Sequence, residues 1–356
     1  MDRHGPGELA QTTFERPTLT EARSRLPTPP PEVVIDGAPA IGRYAGRIAT
    51  IDWRALSGPH QRSDLWLRLH HKRWHYVGLG NGELFIGVAI VDLGWTCTAF
   101  AYVFERGSKT LLANWRQDGL PGLQCRVSDQ PLSGCDSWFR GPGARLSLRH
   151  QPEDTLNLKV QTAGIDLQAE LSLTDAAPLL LAIGRIENGG VAHATQKSPA
   201  LTVKGLLKVD GHASFSLDDA IASVDASNGL LARNTDWRWA CAHSTEVGFN
   251  LQNGYFGANE NALWLQGELI PLGAARFEFD PKCPLEPWHV STDDGLLDLS
   301  FSPEGARQED RNLFIAASHY IQPVGTFSGM VKASKDALPF AVKGLLGVTE
   351  DHQSRW

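Results

Sequence analysis

The chain lacks paired cysteines, a long apolar run and a positive charge excess, and each absence removes a class of function. Cys97, Cys125, Cys135, Cys241 and Cys283 are scattered, with no Cys-x-x-Cys and no histidine at zinc-finger spacing. They read as buried or incidental thiols of a reducing compartment rather than as a disulfide or metal framework. No stretch of about 18 consecutive apolar residues occurs, so a membrane-spanning helix is not expected. The opening MDRHGPGELAQ has no apolar signal core, and a cytoplasmic location is the expectation. With 33 Lys and Arg against 40 Asp and Glu, the net charge is −7, which argues against a nucleic-acid surface. The local basic cluster Arg68, His70, His71, Lys72 and Arg73 reads as a solvated strand end. Also missing are the GxSxG elbow, the Walker A loop, HExxH, the EF-hand loop and a dinucleotide GxGxxG in strand–helix context.

The composition is that of a soluble globular protein, 42% hydrophobic and 21% charged, over 356 residues, enough for two domains. The helical period of 3.6 is weak throughout; segment 215–232 is its best competitor, and Gly229 would end it. Period 2 dominates instead. RLSLRH (145–150), TLNLKV (155–160) and IDLQAELSL (165–173) alternate apolar and polar positions, and the last two form a hairpin about a Gly-bearing loop. LLDLSF (296–301) and FAVKGLLGV (340–348) add strands, and 35 Gly with 21 Pro supply turns. An all-β barrel or sandwich is expected, built as two barrel-like halves because one closed sheet rarely uses over 300 residues. PTPPPE ends a Pro-rich extended arm, residues 1–35. The expected domains are then 36–185 and 186–356, divided near the Pro/Gly/Ala-rich stretch 174–200.

Four stretches carry candidate chemistry. Residues 64–95 hold Trp66, Trp74, Tyr76 and Trp95 with His70, His71 and His75. On a strand His71 and His75 would share a face about 13 Å apart, too far for one metal, and no metal site is expected. In HATQKSPALTVKG (193–205), Lys197 either meets an anionic group or lays its stem along a rim. In SVDASNGLLARNTDWRWACA (223–242), Asp225 sits among apolar residues; desolvation would favour its acid form, as a general acid requires, while an Asx-turn is the alternative. Trp237 and Trp239 share one strand face, as core or as an apolar, cation-stabilising wall. The fourth, VGFNLQNGYFGANENALW (247–264), is a strand and turn that set Phe249 and Leu251 on one face and Asn250 and Gln252 on the other. With it go SHYIQPVG (318–325) and the end GVTEDHQSRW, where Glu350, Asp351 and His352 read as a charged tail or an acid/base cluster.

HATQKSPAL, NGLLARNTDWRWA, VGFNLQNGYFGANENALW, DDGLLDLSFSPEGARQEDRNLFIAAS, YIQPVGTFSG and GLLGVTEDHQSRW together resemble the bacterial family called domain of unknown function 2804, over residues 20–356. A more distant similarity is to the carotenoid 1,2-hydratase, tocopherol cyclase and AttH-like group. Its Glu-Trp-Trp-Tyr-x-x-Gly element corresponds to Arg73-Trp74-His75-Tyr76-Val77-Gly78-Leu79 here; its Trp-x-Asp and Trp-x-Trp elements correspond to Ser223-Val224-Asp225 and Trp237-Arg238-Trp239. Two departures stand out: Arg73 replaces the group's Glu, and Ser223 its Trp.

The resemblance implies two lipocalin-like (calycin) β-barrel halves with a cavity for a hydrophobic small molecule. It also implies hydration, cyclisation or cycloaddition chemistry on often isoprenoid molecules, with no cofactor and no metal. Asp225 would be the proton donor, with His75 beside it in the catalytic set. Trp74, Trp237, Trp239 and Tyr255 would form an aromatic wall for a developing carbocation. His75, Asn250, Gln252 and Asn261 would orient water or a polar substrate end. Tyr76, Lys197, Glu260, His319 and Tyr320 complete the expected binding set. A non-catalytic lipocalin-type carrier needs the cavity without the acid. A carbohydrate-active protein would need Glu260 and either Asp225 or Asp351 facing each other across a cleft.

Overall fold

The computed structural model describes residues 24–174, 176–312 and 316–356. Among them, fifteen strands form one antiparallel sheet and nine form a second, the first a nearly closed barrel and the second a half-barrel. The alternating segments form as their pattern demands. Ala144–Gln151, Thr155–Thr162 and Ile165–Ser172 lie side by side, with Leu146, Leu148, Leu156, Leu158, Val160, Leu167 and Leu171 all in the barrel core. Thr162 pairs with Ile165, so the hairpin turns on Ala163 and Gly164, and Gly164 adopts a φ of +93° that favours glycine. The helix-competing segment 215–232 is strand as well, Phe215–Ser216 and Ile221–Leu230. Gly229 there faces His193 across the ladder, and a Cβ would come within 2.5 Å of that imidazole.

One short helix, Asp64–His70, precedes the strand His71–Gly80, its first turn capped by Ser63. The basic cluster is therefore no solvated strand end. Lys72 is buried, donating to the carbonyls of Leu69 and Leu93, and Arg73 is clamped by Asp92 at 2.6 Å and Asp129 at 2.9 Å. No helix among the described residues is long and apolar enough to cross a membrane. Residues 1–23 of the Pro-rich arm lie outside the described residues. The remainder of the arm runs over the body: Ser24 bridges Leu269, and the Pro27 carbonyl accepts from Ala45.

The sheets change over at 231–233, between Ile221–Leu230 of the first and Asn234–His243 of the second. The expected boundary at 185/186 falls at the end of Leu180–Arg185, which pairs with Ala192–Lys197 in the same sheet. A Pro/Gly-rich stretch marks a turn, and here the turn joins neighbours rather than domains. Phe340–Arg355 is central to the second sheet, between Asn234–His243 and Ala317–Val331, so the chain's last residues are no tail. The two sheets meet face to face through Tyr76, Phe85, Tyr102, Phe104, Trp239, Val324 and Val348.

Candidate functional site

Between the facing sheets lies a cavity of about 120 Å3 whose walls follow from strand parity and register. On Ala192–Lys197 the alternate residues His193, Thr195 and Lys197 share a face. Antiparallel pairing sets Lys197 opposite Asp225 and Thr195 opposite Ser227. The next strand continues the rows, Asp225 to Tyr76 and Ser227 to Trp74, and the one after adds Ala89 and Val91. The second sheet answers with two rows of its own. Gln252 pairs with Trp239 and Trp239 with Glu350; Trp237 pairs with His352 and His352 with Tyr320. Tyr255 and Glu260, from the turn after Val247–Gly254, close one end.

Lys197 is the electrostatic centre. Its ammonium lies 2.7 Å from Asp225 Oδ2 and 2.7 Å from Glu260 Oε2, with Lys197 and Glu260 buried and Asp225 partly so, and it sits 5.9 Å over the Trp239 ring. Asp225 Oδ1 also accepts from Ser227 Oγ at 2.8 Å and Thr195 Oγ1 at 3.2 Å, and Oδ2 from Trp74 Nε1 at 3.4 Å. Burial pushes the Asp225 carboxyl toward its acid form, but the Lys197 charge and these donors outweigh it and hold the pKa below the usual value. The expectation that desolvation would keep Asp225 protonated is therefore corrected, because its strand neighbours supply the counter-charge. Glu260 goes the other way. Burial, with the Asp225 charge nearby, outweighs Lys197 and raises its pKa. Burial alone would favour a neutral Lys197, yet the two carboxylates reverse this and raise its pKa above the ordinary value. Two carboxyls on one ammonium are thus driven apart in proton affinity, which sorts acid from base.

A second polar pole faces this one across the aromatic side chains. Glu350 accepts from Trp237 Nε1 at 2.8 Å and from Gln322 Nε2 at 2.9 Å. The Gln322 carbonyl in turn accepts from the Tyr76 and Tyr102 hydroxyls. Gln252 is buried among these groups, and both polar atoms of its side chain lack a protein partner. An amide in that state is poised for a ligand or a water.

Trp74, Tyr76, Lys197, Asp225, Trp237, Trp239, Gln252, Tyr255, Glu260 and Tyr320 all line the cavity. Four expected residues do not serve it. His75 has the opposite parity to Trp74 and Tyr76, and points into the first barrel against Ser137 Oγ at 2.7 Å, where burial lowers its pKa to about 4. Asn250 accepts from Trp239 Nε1 and donates to the Glu260 backbone carbonyl, and Asn261 accepts from the backbone N–H of Gln252 and donates to the Gly273 backbone carbonyl. Both amides are engaged in holding the wall. His319 lies outside, over half exposed, 2.9 Å from Asp310. Gln322 is not evident from the sequence as a site residue, and Glu350 and His352 look there as much like a tail as a site. Strand parity through 346–352 is the available signal, hidden by the polar look of the chain end. Asp351 has the other parity and pairs with Arg238 at 2.9 Å, away from the cavity. His193 is a further residue that sequence reasoning missed. Its ring stacks on Trp74 at 5.5 Å, both nitrogens lack a protein partner, and burial first, then Lys197, lower its pKa to about 3. No group of three or more His, Cys, Asp or Glu able to hold a metal occurs among the described residues.

The sequence pattern of the family described as Domain of unknown function (DUF2804) matches residues 36–356. Among curated proteins no relative matches in sequence. Solved structures share the fold. A putative AttH from Nitrosomonas europaea is 12% identical with a TM-score of 0.53, over 83% of this chain and 96% of that one. Kievitone hydratase from Nectria haematococca is 10% identical with a TM-score of 0.50, over 84% and 93%. CghA, in its structure with Sch210972, is 11% identical with a TM-score of 0.57, over 92% and 97%.

Proposed function

Starting from a chain that belongs to the DUF2804 family, whose name carries no activity, we propose an enzyme that binds a hydrophobic unsaturated small molecule between its two sheets. It adds water to an olefin or closes a ring, by acid assistance. The observation that carries this reading is the Lys197-bridged pair, with Glu260 biased toward the acid and Asp225 toward the carboxylate, opening onto an aromatic cavity. Glu260 rather than Asp225 donates the proton to the olefin carbon. The cation that forms lies against the Trp74, Trp237 and Trp239 rings, which favour positive charge. Water oriented by the Gln252 amide adds to it, and the surplus proton returns to the Glu260 carboxylate. In ring closure a second double bond adds instead, and the ring cation returns its proton to the same group. Asp225 and Lys197 hold the charge balance. Similarity in fold to a kievitone hydratase supports the addition of water.

A non-catalytic carrier is the second reading, favoured by the complete set of donors on Asp225, as a structural ion pair would have. A glycoside chemistry is disfavoured because Asp225 and Glu260 share one ammonium, which fills the space a glycosidic oxygen needs. Native mass spectrometry of the purified protein, followed by solvent extraction, identifies a co-purifying molecule. Incubation of that molecule should yield a product heavier by one water or an isomer of equal mass. Glu260→Gln should abolish this turnover while retaining binding. Turnover that survives Glu260→Gln removes the donor assignment, and a bound ligand returned unchanged selects the carrier.

A further inference from the structure

The cleft between the sheets does not stop at the aromatic wall. On the far side of Tyr76 and Trp239, whose rings meet edge to face at 5.8 Å, lies a groove of about 520 Å3 that shares both residues with the inner cavity. A void of about 10 Å3, bordered by Tyr76, Ser223, Asp225, Trp239 and Cys241, lies between the two. Parity explains the change in width. Along one strand the cleft-facing residues run from Trp74 and Tyr76 to Gly78 and Gly80. Along its neighbour they run from Asp225 to Ser223 and Ile221, in register with Tyr76, Gly78 and Gly80. The opposing sheet passes from Trp239 to Cys241, and from Glu350 to Val348 and Leu346. Aromatic and charged side chains thus give way to Gly, Ser and Cys, and Ser223 Oγ stands only 3.8 Å from Cys241 Sγ across the cleft.

We infer that groove and cavity, parted in this structure by the edge-to-face contact of Tyr76 and Trp239 at 5.8 Å, join when these rings give way into one binding site for an elongated amphiphile. Its unsaturated end sits at Lys197, Asp225 and Glu260, and its apolar chain lies in the groove. This rests on the reading of the inner cavity as a ligand site. Size is the deciding quantity. The inner cavity, at about 120 Å3, falls below the roughly 300–1,000 Å3 of drug-sized ligand sites, while the groove, at about 520 Å3, lies within it. A hydrophobic molecule larger than a few carbons must extend somewhere, and the groove is the adjoining space. Of its rim charges Arg106 is paired with Glu304 at 2.7 Å and Asp219 with Asn81 at 2.9 Å, while Glu246 and Lys343 lie exposed at the rim, and Phe85, Leu346 and Val348 offer apolar surface to a chain. Ser223 borders the junction, and an indole in its place would fill it.

The test is a length series of isoprenoid alcohols, prenol, geraniol, farnesol and geranylgeraniol, titrated by quenching of tryptophan fluorescence. In the wild-type protein Kd should fall at least about tenfold between prenol and farnesol, as methylenes enter the groove. Ser223→Trp and, independently, Ile221→Trp should flatten that dependence, with circular dichroism checking that each variant folds. A flat series in the wild-type protein, or a length gain that survives in a folded variant, overturns the inference while leaving the inner cavity as a site. Failure of prenol itself to bind, or prenol binding indifferent to Gln252→Leu, overturns the inner-cavity reading and this inference with it.

Discussion

Replacing Lys197 by Met removes the one positive charge that two buried carboxylates share, and its consequences follow from the geometry. Asp225 keeps the Ser227, Thr195 and Trp74 donors, whereas Glu260 loses its ion pair. Breaking a buried ion pair by deleting one partner costs about 3–5 kcal/mol. For a chain of 356 residues, an unfolding entropy of roughly 2.1 cal/mol/K per residue turns that cost into a fall in Tm of about 4–7 °C. The pH dependence gives the sharper signature. In the wild-type protein the raised Lys197 pKa contributes stability that is fully present below 10.5 and lost as pH rises through the folded value. The lowered Asp225 pKa contributes stability present above 3.8 and lost as pH falls through the folded value. Glu260, with a raised pKa, contributes below 4.5 and loses that contribution as pH rises through its folded value. Without Lys197 both carboxyls resist ionisation in the fold, so the penalty should grow from pH 5 to pH 8. Urea unfolding of Lys197→Met across this range measures it, and Lys197→Met with Asp225→Asn should recover part of the loss. A cost under about 1 kcal/mol, or one equal at both pH values, would refute the picture of a charge-sharing centre.

Other expectations rest on single contacts. His193 is buried with a pKa lowered to about 3, so wild-type stability should fall as pH drops below 6.5. His193→Phe should remove up to about 1.4 kcal/mol per pH unit of that slope, read from urea midpoints between pH 6.5 and 4. Trp237→Phe takes the indole donor from Glu350 and should cost about 1–3 kcal/mol in chemical denaturation. Of the five thiols only Cys283 is exposed, so a thiol reagent should label one cysteine rapidly and the other four only after unfolding. Rapid labelling of Cys241 would show that the cleft opens far more than its packing implies.

The strands were legible in the sequence because their alternation is local. Leu156, Leu158 and Val160 opposite Leu171, Ala169 and Leu167 need only a pleat and a Gly-bearing turn to meet, and they meet. The amphipathic logic weakens where both faces of a strand are buried. Phe249 and Leu251 enter the second sheet's core while Asn250 and Gln252 are equally enclosed on the other side. Parity separated the two pairs, but only the tertiary structure shows that the amides look into the space between the sheets, that Asn250 is consumed by Trp239, and that Gln252 is left free. The sequence named Lys197, Asp225 and Glu260 as separate candidates. Lys197 and Asp225 are neighbours through strand register, and Glu260 arrives from the opposing sheet. The sign of each proton affinity depends on that meeting, since burial pushes both carboxyls one way and the shared ammonium pushes both back. Residue types and their period determined an all-β chain with an aromatic and acidic inventory. Long-range pairing decided which acid holds its proton the more tightly, because electrostatic energy depends on separations of a few ångströms that no local pattern encodes.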